Sequence, residues 1–483
     1  MRPDGGTRVR GVLRAALAAS VAAGCTVGPD YARPVTPEHA EYRETSANAP
    51  PADSLVGPPA PMPSVESVAD LPWWELFRDP VLQELIETAL ANNRDLDVAL
   101  ARVEEARAAL GFQEANLIPR IDAVASGGLD DTTAEGAVQP SATGALAVSW
   151  EADLFGRIRR TNEAALRDLL ATEEVYRGVT IALVAQVADQ YLFLRDLDNR
   201  LSISEATANA RRESLDILTV RFSAGVISEV EVNQGEIELA VAETAVETFR
   251  RLRAQTENLI AFLIGSPPTE IPRGDALSDA MLPPDLPAGL PSELLDRRPD
   301  ILAAEHALAA QTARIGVAEA LKYPSVTLSA NLGATFASAT TGFLNMAADL
   351  FAPLFDAGQN DQRVEIEVAR TRQALASYEQ TILNAFREVE SAMVAVHRYE
   401  AEYRQRLIQL RAAQNAAILS WARYDGGMTS YLEVLDVQRS EFSAELAVSE
   451  ALGLRLSSLV DLYRALGGGW TPPDDPVEQE PGG

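Results

Sequence analysis

Between Gln359 and Leu466 the chain carries about a hundred residues of helical pattern broken once, at Tyr424-Asp-Gly-Gly-Met-Thr-Ser430. Beyond the break, Leu435, Phe442, Leu456 and Tyr463 fall on steps of seven. Leu432, Leu446 and Val460 lie between them, and Ser449 and Gly453 interrupt the seam. This pattern predicts two long antiparallel helices in a coiled-coil-like pairing, joined at a glycine turn. The incoming helix, Gln359 to about Arg423, has ~65 residues and at ~1.5 Å per residue reaches ~100 Å, far beyond the ~10–14 residues of an average helix. A helix that long is built to span a distance.

The pattern occurs twice. Val81 to Ile118 reads as a helix that Pro119 stops. The period then changes to two. Ile121 to Leu129 alternates weakly; Leu146, Val148, Trp150 and Leu154 alternate clearly with Ala145, Ala147, Ser149, Glu151 and Asp153. Asp130 to Thr143 between them is polar and small, as a surface loop should be. Arg157 to Phe222 is a second helix of ~65 residues, Ser223-Ala-Gly-Val-Ile-Ser228 its turn, and Glu229 to Ile264 the return. Then Asp300, Gly316, Glu319, Ala320 and Pro324 match Asp95, Gly111, Glu114, Ala115 and Pro119 at a constant offset of 205. Arg423-Tyr-Asp-Gly-Gly427 matches Arg221-Phe-Ser-Ala-Gly225 at 202. Each half is helix, strand pair, long helix, turn, helix: one duplicated unit.

Four strands result, two per half. In the second half Val326, Leu328, Ala330 and Leu332 alternate with Ser325, Thr327, Ser329 and Asn331, and Leu344, Met346, Ala348 and Leu350 with Asn345, Ala347 and Asp349. No apolar run reaches the ~18 residues of a membrane helix, so any membrane passage must use strands. Four strands cannot close a barrel, and an open sheet edge is not tolerated in lipid. Membrane barrels start at eight strands, so chains must pool theirs. Two chains would give eight and a filled interior; three give twelve and room for a channel. The long helices would continue such a barrel as a helical tube.

At the amino terminus Arg2, Arg8, Arg10 and Arg14 precede or enter a short apolar run, Val12 to Ala23, ending Ala22-Ala23-Gly24-Cys25. This resembles a lipoprotein signal peptide over 1–24, with the thiol of Cys25 as lipid attachment site. Thr26, rather than Asp, follows the cysteine, which by lipoprotein sorting implies the outer membrane. Cys25 is the only cysteine, so no intrachain disulfide is possible. Residues 25–72, with ten prolines from Pro29 to Pro72, read as a lipid-anchored proline-rich linker. The first repeat occupies 73–266, with a strand pair at about 119–154 and a helical hairpin at about 157–264. A proline-rich connector fills 267–291. The second repeat occupies 292–470, with a strand pair at about 324–354 and a hairpin at about 359–466. Residues 471–483 are an acidic disordered tail.

Several spaced motifs resemble TolC-like outer-membrane efflux factors of the OprM/NodT branch. They are Cys25-Thr-Val-Gly-Pro-Asp-Tyr-Ala-Arg-Pro34, Trp73-Trp74 with Phe77, Trp150-Glu-Ala-Asp-Leu-Phe-Gly156, Leu295-Asp-Arg-Arg-Pro-Asp300, Leu435-Asp-Val-Gln-Arg439 and Leu462-Tyr-Arg-Ala-Leu-Gly-Gly-Gly-Trp470. The resemblance implies a mostly α protein with membrane β. It would be a trimer whose twelve-stranded β-barrel, four strands per chain, continues as a long periplasmic α-helical barrel. It also implies a periplasmic adaptor and an inner-membrane pump of the resistance-nodulation-division type as partners. By the family motif, the positions that close the periplasmic tip fall on Leu432, Asp436 and Arg439, with Tyr424 nearby. Leu432 and Asp436 share a helix face and Arg439 lies three past Asp436. Around a threefold axis Asp436 would form a carboxylate ring, a cation filter; within one chain it and Arg439 could form a solvated ion pair.

Composition excludes other classes. The formal charge of −29 argues against nucleic acid as a partner. His39, His306 and His397 are too scattered for a metal or acid–base site. The single lysine, Lys322, precedes Tyr323 and cannot belong to a phosphate-binding loop. An enzyme is not expected, nor a cofactor. Two alternatives share much of this pattern: the outer channel of a protein-secretion system, and a periplasmic coiled-coil scaffold without a pore. The lipobox and Arg-Arg-Pro-Asp motif favour efflux over the first, and the four alternating segments disfavour the second. The methionines are few and dispersed, with no cluster for soft metals, which favours organic cargo.

Overall fold

A computed structural model describes residues 26–35, 79–131, 138–274, 277, 294–337 and 339–468. The signal segment, Cys25, Trp73-Trp74 and Phe77, most of the linker and connector, and the tail lie outside the described residues. In chain order the elements are α1 (Pro80–Asn92), α2 (Arg94–Glu114), β1 (Arg120–Asp131), β2 (Val138–Ala152), α3 (Arg157–Ser223) and α4 (Glu229–Leu263). They continue with α5 (Leu294–Arg297), α6 (Pro299–Ala320), β3 (Ser325–Phe336), β4 (Thr340–Phe351), α7 (Gln359–Asp425) and α8 (Tyr431–Ala465). Each long helix has 67 residues and each returning helix 35. None of the described helices is both long and apolar enough to cross a membrane.

The chain divides into two compact units that cut across the repeat. One holds the strands, with the described parts of 100–175 and 300–381 and the segment 26–35; the other holds those of 79–99, 176–299 and 382–468.

In the second unit the duplication is visible contact by contact. Asn93 splits what the apolar pattern predicts as one helix from Val81 to Ile118. Its Oδ1 accepts from the backbone N–H of Asp95 (2.9 Å) and Leu96 (3.0 Å), capping α2. Its Nδ2 donates to the carbonyl of Leu263 at the end of α4 (2.8 Å). The repeat offsets of 205 and 202 turn Asn93 and Leu263 into Arg298 and Ala465. Arg298 Nη1 indeed donates to the Ala465 carbonyl (2.8 Å), while Nη2 pairs with Glu388 of α7 (2.7 Å). Arg298 therefore ties α7 and α8 together. Gly265 and Gly467, also 202 apart, end the returning helices with φ of 72° and 87°. A Cβ on Gly265 would overlap the Asn92 carbonyl. Ser266 N–H to Ala261 O and Gly468 N–H to Tyr463 O close both ends in the Schellman pattern.

The serine and glycine that interrupt the seam of α8 face a polar side chain. Ser449 Oγ donates to buried Asp196 of α3 (2.6 Å), which Arg200 also holds (2.6 Å). Gly453 lies against the same Asp196, where a Cβ would meet it in ordinary contact. Leu435, Phe442, Leu456 and Tyr463 on that seam are buried, as the spacing predicts.

In the first unit the strands form one antiparallel sheet in the order β1-β2-β3-β4. They run further than the alternation suggests: β1 continues to Asp131 and β2 begins at Val138, inside the expected loop from Asp130 to Thr143. Gly, Ser, Thr and Ala carry no alternation there and so resemble a loop, yet a strand of ~9–11 residues is what a bilayer demands. Register places Ala123, Leu146, Leu332 and Leu344 in one row, and Ile121, Val148, Ala330 and Met346 in another two residues away, on the same face. The other face carries Ser149 opposite Ser329, Asn331 opposite Asn345, and Thr143 hydrogen-bonded to Thr335 (3.2 Å). One side is apolar, with Leu146, Leu332 and Leu344 each more than half exposed in the single chain, and the other is polar.

The joints between sheet and long helices explain the motif Trp150–Gly156. Trp150 Nε1 donates to the Leu117 carbonyl (3.0 Å), and Glu151 pairs with Arg157 (2.7 Å). Asp153 caps α3 through the N–H of Ile158 (3.0 Å) and Arg159 (2.9 Å). Phe155 stacks on Tyr323 at 4.6 Å. Asp356 caps the start of α7 in the same manner, through Gly358 and Asn360 N–H (both 3.0 Å).

Thr26 to Val35, within the expected lipid-anchored linker, packs on this unit. Gly28 (φ 91°) lies so close to Gly316 that a Cβ would overlap it. Buried Arg160 of α3 donates to the carbonyls of Val27 and Gly28 (both 3.3 Å) and pairs with Asp30 (2.6 Å). Tyr31 (3.2 Å) and Arg33 (3.0 Å) both reach Glu305 of α6. A Cβ on Gly111, the repeat equivalent of Gly316, would meet no neighbour within 4 Å: among the described residues the first half has no such strap.

The two faces of the sheet predict opposite responses to charge. Leu332→Arg, on the apolar face, should destabilise the membrane-inserted protein by ~2–4 kcal/mol, and Asn331→Arg, one residue away on the polar face, by much less. Unfolding from detergent micelles into denaturant compares them; equal losses at both positions would void the assignment of faces.

Candidate functional site

The tip of each helical hairpin is built alike. Gly225 (φ 71°) and Gly427 (φ 69°) make the turns. Val226 N–H to Arg221 O and Met428 N–H to Arg423 O, both 2.9 Å, close them. Left-handed backbone is cheap only for glycine, which is why the interruption needs one. A small core locks the two turns together: Leu218, Tyr431, Val434 and Leu435 are buried, with Ile227, Val232, Trp421 and Tyr424 packed on them. The rings of Tyr424 and Tyr431 lie 5.4 Å apart, and Trp421 meets both edge-on. Arg221 donates to the Tyr424 hydroxyl (3.1 Å) with its guanidinium 5.6 Å from that ring. Tyr424 thus joins the two hairpin tips, and burial pushes the neighbouring Tyr431 hydroxyl up to about 12.

Leu432, Asp436 and Arg439 leave the second turn on one face of α8. Leu432 is 52% exposed, although a leucine beside a packed core could have joined it. Asp436 is exposed and makes no ion pair among the described residues. Arg439 does not pair with Asp436 as spacing allows. Its guanidinium reaches across to Glu238 of α4. Glu238 is 5% exposed and already holds Arg211 of α3 (3.2 Å), which also donates to the Glu238 carbonyl (2.6 Å). Arg211 lies over Phe442 of α8 at 5.2 Å. Burial holds the Arg211 pKa below the ordinary guanidinium value; Glu238 counteracts this and Arg439 adds to it. One buried carboxylate therefore serves two guanidinium groups, the inner one enclosed and the outer one half in water.

Arg211 and Glu238 are the residues that spacing arguments overlook. The sequence does hold a signal for them. Arg211 falls on the helical face of buried Ala208 and Leu218, and Glu238 four residues before buried Ala242. Charges at core positions of a helical pattern require partners, because an isolated buried charge is prohibitively costly. They escape a spacing argument because a pair between α3 and α4 has no fixed separation in the chain.

No group of three or more His, Cys, Asp or Glu side chains that could hold a metal occurs among the described residues.

The profile of the outer membrane efflux protein family matches residues 85–266 and 290–468. The toluene efflux pump outer membrane protein TtgC of Pseudomonas putida is 34% identical over 479 residues, 95% of this chain and 96% of that one. The outer membrane protein OprJ of Pseudomonas aeruginosa is 35% identical over 475 residues, again 95% and 96%. The open-state crystal structure of the Neisseria gonorrhoeae MtrE outer membrane channel superposes with a TM-score of 0.82 at 31% identity, covering 92% of this chain and 98% of that one. This chain belongs to the outer membrane efflux protein family.

Proposed function

We propose that the chain forms the gated outer-membrane channel of a tripartite efflux pump, working as a trimer. The observation that carries this is the sheet: four strands, apolar on one face and polar on the other, with β1 and β4 each lacking a neighbour on their outer side among the described residues. Three such sheets give a twelve-stranded barrel whose polar face lines water. The paired long helices of each repeat carry the passage into the periplasm, where an adaptor and an inner-membrane pump of the resistance-nodulation-division type engage it. The toluene efflux pump protein among its relatives supports organic compounds as cargo. Cys25, outside the described residues, carries lipid after cleavage behind Gly24; the docked strap from Thr26 onward would hold that anchor close to the first unit. Mass spectrometry of the mature chain should find Cys25 acylated at its amino terminus, and cleavage elsewhere or a free thiol would refute the anchor.

In this reading the gate sits at the turn of the second hairpin. Leu432 and Asp436 present an apolar and an acidic position on one exposed face of α8. Three copies converging on an axis would give an apolar constriction followed by a carboxylate ring, which passes cations in preference to anions. Arg439 holds this face in place by tying α8 to Glu238 of α4. Removing it leaves Glu238 to Arg211 alone and frees the first turns of α8 from their charged tether. In planar bilayers without an adaptor, the unsubstituted channel should conduct poorly and prefer cations. Leu432→Ala with Arg439→Ala should raise conductance several-fold without changing assembly. A double variant that conducts no better places the constriction elsewhere.

A further inference from the structure

The internal repeat carries information about the two strand edges that no contact within one chain reveals. Arg120 pairs with Ser149 in the first hairpin, and their equivalents Ser325 and Phe351 pair in the second. The offset is therefore 205 from β1 to β3 and 202 from β2 to β4. The join between the hairpins, β2 on β3, has its own register: Ser149 faces Ser329 and Val148 faces Ala330. If the hairpins follow one another around a closed barrel as near-equivalents, the next join repeats this one with β4 in the role of β2 and β1 of the next copy in the role of β3. Ser149 becomes Phe351 and Ser329 becomes Val124. Val148 becomes Leu350 and Ala330 becomes Ala125.

We infer that β4 of one chain pairs antiparallel with β1 of a second copy in the register that sets Phe351 opposite Val124. This rests on the pooled-barrel reading and specifies its seam. Two independent observations support it. The first is parity. A shift of one residue would turn the apolar side of β1 toward the polar side of β4. The transferred register instead sets Leu350 beside Ala125 and Met346 beside Leu129, apolar face to apolar face. The second is that the polar face carries two exposed misfits, besides the less exposed Phe343 of β4, which faces Gly333. Among the described residues, Val124 (51% exposed) and Phe351 (70%) are the only exposed large apolar side chains on that face. They lie on the two edge strands, where neither has a cross-strand apolar partner of any size: Val124 faces Ala145 and Phe351 faces Ser325. The inferred register places them directly opposite each other, where an aromatic and a β-branched side chain cover one another. A slip of two residues keeps the parity but leaves Phe351 against Asp122 or Ser126 and Val124 against Asp349 or Pro353.

Cysteine pairs in the full-length protein in outer membranes test this. Directly opposed residues on antiparallel strands have Cα atoms ~4.5–5.5 Å apart, within the span a disulfide accepts. Val124→Cys with Phe351→Cys, and the adjacent rung Ala125→Cys with Leu350→Cys, cover both kinds of rung. Slipped controls are Val124→Cys with Asp349→Cys and with Pro353→Cys. Singly substituted chains, which keep Cys25, set the background. On oxidation, at least one in-register pair should move most of the protein into covalent dimer and trimer bands on a denaturing gel, several-fold above the slipped pairs. Bands from a slipped pair in preference overturn the register and leave the pooled barrel intact. A trimer by light scattering in which no pair cross-links overturns the joining of β4 to β1. An unsubstituted chain that is monomeric by the same measurement fails the reading beneath.

Discussion

Hydrocarbon offers no hydrogen bonds, so a strand in lipid must find partners for its backbone on both sides. Among its described residues this chain supplies four strands and three joins between them, and the arithmetic leaves the outer sides of β1 and β4 to other chains. Assembly is thus a condition of the fold in its membrane, separate from any interface built by side chains alone. The amphipathic sheet makes the same demand. Rows such as Leu146, Leu332 and Leu344 are exposed in the single chain and suit lipid, while the serines, threonines and asparagines of the opposite face suit water.

The duplication supplies near-equivalent joints from unlike residues. Asn93 and Arg298 make the same bond to the last turn of a returning helix with different chemistry, and only Arg298 also reaches a long helix. The strap at Gly28 lies beside Gly316 and, among the described residues, has no counterpart at Gly111. Such differences matter at the hairpin tips as well. Arg221 and Tyr424 form one bridge between the turns, and Arg439 and Glu238 form another further along α8. The buried Arg211 beneath Glu238 cannot readily move, since separating a buried pair leaves an uncompensated charge. The half-exposed Arg439 is the partner that can leave Glu238 at least cost, while Arg211 and Glu238 form a fixed joint between α3 and α4.

Much of this was readable in the sequence. Periods of 3.6 and 2 located the hairpin helices and all four strands, β1 the most weakly, because burial on one face enforces those periods. Glycine turns and the constant offsets exposed the repeat. The weak alternation of β1 and the early part of β2 hid their length, since Gly, Ser and Ala serve on either face. Asn93 resembles one more polar residue within a helix, and only the fold shows its two hydrogen-bonding ends capping α2 and α4. At the candidate gate, the face shared by Leu432, Asp436 and Arg439 followed from spacing, but the true partner of Arg439 did not. That partner lies 201 residues away on another hairpin, and only the folded chain brings it near.

The demand for pooled strands is tested most directly by the mass of the intact assembly. Native mass spectrometry of the full-length protein, released from outer membranes in mild detergent, should find three chains per particle. A particle of one or two chains would contradict the account, because the edges of β1 and β4 would then have no twelve-stranded barrel to close.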